Sequence, residues 1–193
     1  MDFVAWLDEN VLSCKRQEEF KKTSQTAVLW DENGDVKLEV RRISGPAIIL
    51  LPEKIQQWRI LRSRQDKRWG SRCDFLLVGE SSDQFYAIFL EFKRTIRSLD
   101  EEDQEAQRQL KWSTSILHYL LSVFNLDRNS SLSEEDIEVR HIAIGRKFSA
   151  RFDKQHIRTN PHLPFPFHDY DGLKIHYALN SPITLKQLLN RSV

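Results

Sequence analysis

Apolar and polar positions along the chain change period several times, and each change predicts an element. Arg72 to Val78 and Phe85 to Lys93 are rich in β-branched and aromatic residues. Gly79 and the polar run Glu80-Ser81-Ser82-Asp83-Gln84 separate them, as in a β-hairpin. Ser98-Leu99-Asp100-Glu101 then reads as a capping box at a helix N-terminus, where the macrodipole favours acidic residues. Ala106, Leu110, Leu117, Leu120, Leu121 and Phe124 continue as one apolar stripe to about Asn125. After a polar loop, Ile137 to Ile144 returns as a strand. Strand, helix and strand in that order imply a right-handed parallel crossover, so the sheet is expected to be mixed.

The flanking segments are read in the same way. Val4, Leu7, Val11 and Cys14 make an amphipathic stripe on an N-terminal helix expected over residues 2–22. Ala27 to Trp30 and Val36 to Arg41 flank Asp31-Glu32-Asn33-Gly34-Asp35, a second hairpin. Gly45-Pro46 breaks the chain before the apolar run Ala47 to Leu51, and this run or the strand before it should lie beside the Asp74 strand. Thr159 to Asp171 reads as a long loop. A strand at Leu173 to Leu179 follows, then a short helix with Ser181 as N-cap and Pro182 in its first position.

The hairpin register carries the chemistry. With Ser82-Asp83 as a two-residue turn, positions pair when their numbers sum to 165, which places Asp74 opposite Glu91. Side chains alternate faces, so Glu91 and Lys93 share one face while Leu90 and Phe92 take the other. Directly opposed residues have Cβ atoms about 4.5 to 5.5 Å apart, and like charges there are destabilising. A divalent cation removes that repulsion, because Mg²⁺ is commonly held by one or two carboxylates together with water and substrate phosphates. The plainer alternative is three charges on the wet face of an ordinary antiparallel hairpin.

A strand with Asp, a hairpin, a strand with Glu-x-Lys, a helix and a further strand resemble the PD-(D/E)XK, restriction-endonuclease-like nuclease superfamily. The residues concerned are Arg72-Cys73-Asp74-Phe75-Leu76-Leu77-Val78 and Tyr86-Ala87-Ile88-Phe89-Leu90-Glu91-Phe92-Lys93. Cys73 stands where the proline of the motif name would be. The resemblance covers roughly residues 70–145. It implies an α/β fold with a restriction-endonuclease-like core, a mixed sheet flanked by helices in α-β-β-β-α-β order, to which a C-terminal strand and helix are added. One domain over residues 1–193 is expected, with a core at about 36–145 and a C-terminal extension at 146–193.

By the same resemblance, Asp74, Glu91 and the backbone carbonyl of Phe92 hold Mg²⁺, for which Mn²⁺ can substitute, and Lys93 assists the attacking water or the transition state. Glu18 on the first helix and Gln109 on the helix after the hairpin are further candidates, because relatives direct residues from those helices to the site. The implied activity is metal-dependent hydrolysis of phosphodiester bonds, with DNA as the expected polymer and DNA processing or defence as the setting. Relatives work as homodimers or within larger assemblies as well as singly. The competing class is a catalytically silent module of the same fold that binds nucleic acid or a partner protein.

Composition narrows the partners. The 193 residues are 40% hydrophobic, enough for a real core, and 30% charged with a net charge of only +1. Affinity for nucleic acid must therefore be local. Arg59, Arg62, Arg64, Lys67, Arg68 and Arg72 supply a basic stretch bracketed by Trp58 and Trp69, suited to phosphates and stacked bases. A solvated helix face with two core tryptophans is the equal alternative. No secretory signal or membrane span is visible, and the cytoplasm is the expected location. Two cysteines in such a chain are expected to be reduced thiols. The six histidines show none of the close spacings of zinc sites and are assigned no role.

Overall fold

The computed structural model describes residues 3–11, 25–30, 34–52, 55, 72–81, 84–97, 105–149, 165, 167–180 and 182–189. Six strands form the main sheet: β3 (Ala47–Leu50), β4 (Phe75–Ser81), β5 (Gln84–Ile96), β6 (Ile137–Phe148), β7 (Phe167–Tyr170) and β8 (Leu173–Leu179). Their spatial order is β3-β4-β5-β6-β8-β7. β3, β4 and β5 form an antiparallel meander, β5 to β6 and β6 to β8 are parallel, and β7 returns antiparallel along β8. The molecule is thus an α/β protein with a mixed sheet, as the strand, helix and strand order predicted.

The helix after the hairpin, α2 (Glu105–Arg128), crosses one face of this sheet. Its Leu110, Leu117, Leu120, Leu121 and Phe124 meet Leu76, Val78, Ala87, Phe89, Ala143 and Tyr177 in one buried cluster. The first helix, α1 (Phe3–Asn10), adds Phe3, Val4, Trp6 and Leu7 to the same layer. Phe3 and Phe124 pack edge to face with ring centroids 5.0 Å apart, and the Trp6 indole N–H donates to Asp127 Oδ2 at 2.8 Å. None of the described helices is long and apolar enough to cross a membrane.

The opposite face is covered as well. β1 (Ala27–Trp30) and β2 (Lys37–Arg41) form the expected antiparallel hairpin. β2 leaves the main sheet and pairs parallel with β9 (Ile183–Thr184), giving a separate three-stranded sheet. Of the two segments expected beside the Asp74 strand, the run from Ala47 takes that place as β3, and residues 37–41 lie outside the main sheet. The apolar positions Leu29, Leu38, Val40 and Ile183, with Leu185 and Leu188 of α3 (Leu185–Leu188), close over Phe75, Leu77, Ile88, Leu90, Phe92, Ile142 and Ile144. Burial on both faces accounts for the nearly continuous apolar run of β5.

Two other boundaries differ. α3 is capped by Thr184 rather than opened by Pro182: Thr184 Oγ1 accepts from the Gln187 amide at 3.3 Å, and Gln187 Oε1 accepts from the Thr184 amide at 2.9 Å. The end of the expected loop at Thr159 to Asp171 is the edge strand β7. Gly79 lies opposite Tyr86 in the hairpin, and a Cβ there would run into the tyrosine phenol.

His141 on β6 is a core residue: it stacks on Phe89 with centroids 4.8 Å apart, and its Nε2 meets Thr114 Oγ1 at 2.8 Å. Burial first, then the nearby His176 and Arg140, hold its pKa down to about 3. Burial, Arg140 and Lys174 hold His176 down to about 4. Both rings are therefore neutral in the fold, whereas the unfolded chain takes up their protons below about pH 6.5. The stability they contribute is complete above that pH and is lost as the pH falls toward 4. In urea, the stability difference between wild type and His141→Gln should shift by about 2 kcal/mol in favour of the variant between pH 7 and 5, because the other titrating groups cancel in that difference. A difference that stays constant over this range would contradict the assignment.

Candidate active site

The end of the β4–β5 hairpin farthest from its turn brings three charged side chains together. The ladder runs from Ser81 opposite Gln84 to Phe75 opposite Leu90, the expected register, and ends one position short of Asp74 and Glu91. Asp74 sits in a bend just before β4, so its position is set less by the ladder than by its own hydrogen bond: Oδ2 accepts from the Phe92 amide at 2.7 Å. Leu90 and Phe92 join the core of the opposite face, which leaves Glu91 and Lys93 facing the α2 side.

Glu91 is only 2% exposed. Its Oε1 is 2.8 Å from Lys93 Nζ, while its Oε2 is buried with no hydrogen-bond partner. Such orphaned atoms are rare in folded proteins, since an unsatisfied buried carboxylate oxygen is costly. Burial, followed by the charge of Asp74, raises the Glu91 pKa to about 8; attraction to Lys93 works against this and loses. For Lys93, burial acts to lower the pKa, but Glu91 and Glu105 outweigh it and the amine is held above its ordinary value. The ammonium form is thus secure.

Lys93 is gripped from α2 as well. Its Nζ donates to Gln109 Oε1 at 2.9 Å and lies 3.3 Å from Glu105 Oε2. Gln109 Nε2 reaches back to the Arg72 carbonyl at 3.4 Å, tying the helix to the segment that leads into β4. Gln109, singled out in the sequence, is therefore part of the cluster. Glu105 was not singled out. Its signal was present, because residues four apart on a helix share a face, and Glu105 stands one turn before Gln109. Beyond Lys93 a cavity of about 30 Å³ is lined by Thr95, Arg97, Glu105, Gln107 and Tyr177 among others. The buried Gln107 donates to the Tyr177 hydroxyl at 3.4 Å, and its own Oε1 has no partner.

The donor set suits a hard cation. Two carboxylates are adjacent, one with an oxygen that has no hydrogen-bond partner among the described residues. In an antiparallel ladder the carbonyl of a residue points to the same edge as its amide, so the Phe92 carbonyl faces the Asp74 side. Two carboxylates and a carbonyl, with remaining positions for water and phosphate oxygens, match Mg²⁺. Among the described residues no group of three or more His, Cys, Asp or Glu side chains is placed to hold a metal ion, so the fit is to this smaller oxygen set.

The other candidates fall elsewhere. Glu18 and the basic residues Arg59, Arg62, Arg64, Lys67 and Arg68 lie outside the described residues, as does the capping box at Ser98 to Glu101. Arg72 is described and is buried: its Nη1 donates to the Pro52 carbonyl at 3.2 Å. Its guanidinium is engaged in the fold and is not presented on an exposed basic face. Cys73 is also buried, its amide donating to Ser113 Oγ at 2.8 Å and its thiol to the Phe75 carbonyl at 3.3 Å. Burial raises its pKa, so it is an inert thiol. No protein-family model, curated protein or solved structure matches the chain.

Proposed function

We propose that this protein is a metal-dependent nuclease of PD-(D/E)XK type, with a restriction-endonuclease-like core, that hydrolyses phosphodiester bonds in DNA. The observation that carries the proposal is the Glu91 carboxylate: nine-tenths or more buried, beside Asp74, with one oxygen on Lys93 and the other without a hydrogen-bond partner among the described residues. A purely structural charge would be satisfied on both oxygens or replaced by an apolar group, because a half-satisfied buried carboxylate is destabilising.

Hydrolysis adds one water across a P–O bond: the water oxygen bonds to phosphorus, the bond to the leaving oxygen breaks, and that oxygen ends with a proton. Bound Mg²⁺ would supply Lewis acidity and a water that ionises near neutral pH. Asp74, Glu91 and the Phe92 carbonyl would hold the ion. Lys93 contributes a fixed positive charge at the phosphate, where negative charge grows in the transition state. Gln109 keeps that ammonium from wandering. The absence of any large basic excess suits a site that grips substrate locally.

The test is incubation of the purified chain with supercoiled plasmid, linear single-stranded DNA and RNA, each with Mg²⁺, Mn²⁺ or chelator. Cleavage of at least one DNA substrate, dependent on the metal and lost in chelator, is the expected outcome. Intact DNA under every metal condition overturns the proposal, and cleavage confined to RNA corrects the polymer.

A further inference from the structure

We infer that Glu105 is a phosphate stand-in: in the substrate-free protein its carboxylate occupies the place on Lys93 that a phosphate oxygen of the substrate takes, and it thereby sets substrate affinity. The inference rests on the proposed role of Lys93 at the phosphate. An ammonium group has three N–H donors and no more. Lys93 Nζ has three acceptors around it, Glu91 Oε1 at 2.8 Å, Gln109 Oε1 at 2.9 Å and Glu105 Oε2 at 3.3 Å. Its donor capacity is filled by the protein. A phosphate oxygen can accept from Lys93 only if one of these leaves.

The three are not equally easy to displace. Glu91 is buried at the end of the hairpin with its second oxygen placed for a cation. Gln109 is held at both ends of its amide, by Lys93 and by the Arg72 carbonyl. Glu105 has the longest contact, and its side chain is 49% exposed, so water solvates it once it turns away. Half-exposed ion pairs are weak, which makes this the one that yields.

Its surroundings suit the exchange. Glu105 lines the small cavity together with Lys93, Thr95 and Arg97. An entering phosphodiester therefore meets the Lys93 ammonium there, with the half-exposed Glu105 carboxylate in competition. The unpartnered Gln107 Oε1 deeper in the cavity calls for a donor, and about 30 Å³ is room for a water. Removing the Glu105 charge releases one Lys93 donor and one repulsion together.

Fluorescence anisotropy with a labelled oligonucleotide, single-stranded and duplex, measured with Ca²⁺ in place of Mg²⁺ so that binding is read apart from cleavage, tests this. Glu105→Gln is expected to bind about fivefold more tightly than wild type, with the gain absent when Lys93 is already Met. Glu105→Ala should reproduce the gain, and thermal melts establish that each variant is folded. Unchanged or weaker binding by both Glu105 variants overturns the inference, as does an equal gain in the Lys93→Met background, which would mark a general surface-charge effect. Absence of binding by wild type and variants alike also overturns it. Wild type that binds with Ca²⁺ yet cuts nothing with Mg²⁺ defeats the hydrolase proposal alone; a Lys93-dependent gain in Glu105→Gln then still upholds the stand-in.

Discussion

Replacing Glu91 by alanine is expected to lower Mg²⁺-dependent cleavage by about 10³-fold, with Asp74→Asn close behind. Both changes remove charge from the two carboxylates that meet where the hairpin ladder ends. Asp74→Asn is the cleaner variant. Its remaining carbonyl oxygen can still accept from the Phe92 amide, so the bend before β4 keeps its anchor while the metal loses a charged ligand. Lys93→Met should cost less, about 10²-fold, since it withdraws one electrostatic contribution and leaves the donors for the ion in place. Initial rates on supercoiled plasmid, with circular dichroism to establish folding, decide the matter. Folded Asp74→Asn protein that cuts at the wild-type rate would remove Asp74 from the site.

The second large effect concerns stability and has the opposite sign. In metal-free protein the Glu91 pKa stands at about 8 against an ordinary 4.5, because burial and Asp74 disfavour its charge. A carboxyl whose folded pKa is raised contributes stability that is fully present below pH 4.5 and is lost as the pH climbs through 8. At pH 7 the loss is about 3 kcal/mol. Glu91→Gln keeps an oxygen for Lys93 and has no charge to bury. In chelator it should melt above wild type at pH 7, with the gap closing toward pH 4.5. Mg²⁺ should then stabilise wild type and leave the variant unmoved, because only the carboxylate gains from the ion. A variant that melts at or below wild type in chelator at pH 8 would refute this account. A group that weakens the metal-free fold and whose loss also abolishes cleavage, the two results expected here, would mark a functional site and not a structural salt bridge.

The parts of this molecule legible from sequence are those governed by local rules. A two-residue turn fixes a hairpin register, so the opposition of Asp74 and Glu91 followed from counting. Alternation then put Lys93 on the same face. The stripe from Leu110 to Phe124 announced α2, and the strand after it had to be parallel to β5 because a helix intervened. What escaped depends on contacts distant in sequence. β2 has the same pattern whether it joins the main sheet or pairs with β9, and only the parallel pairing of Val40 with Ile183 separates the two. Arg72 read as one more charge in a basic stretch, and its burial beneath the chain at Pro52 has no local signature. Glu105 looked like an ordinary acidic residue near a helix start. Its meaning came from Lys93, twelve positions away on another element. Ser181 and Pro182 made a plausible cap, but Thr184 with Gln187 made a reciprocal one.

Tyr86 against Gly79 shows how such a site is kept in alignment from a distance. Only when Gly79 faces Tyr86 does the ring find space, and that pairing belongs to the same ladder that carries Asp74 to Glu91. A slip of one residue would seat the phenol against a side chain and at the same time turn the two carboxylates to opposite faces. The lock is five residues from the acids, about 17 Å along the strand. A missing side chain in the middle of the hairpin thus acts as the gauge by which the paired acids at its far end are brought into line.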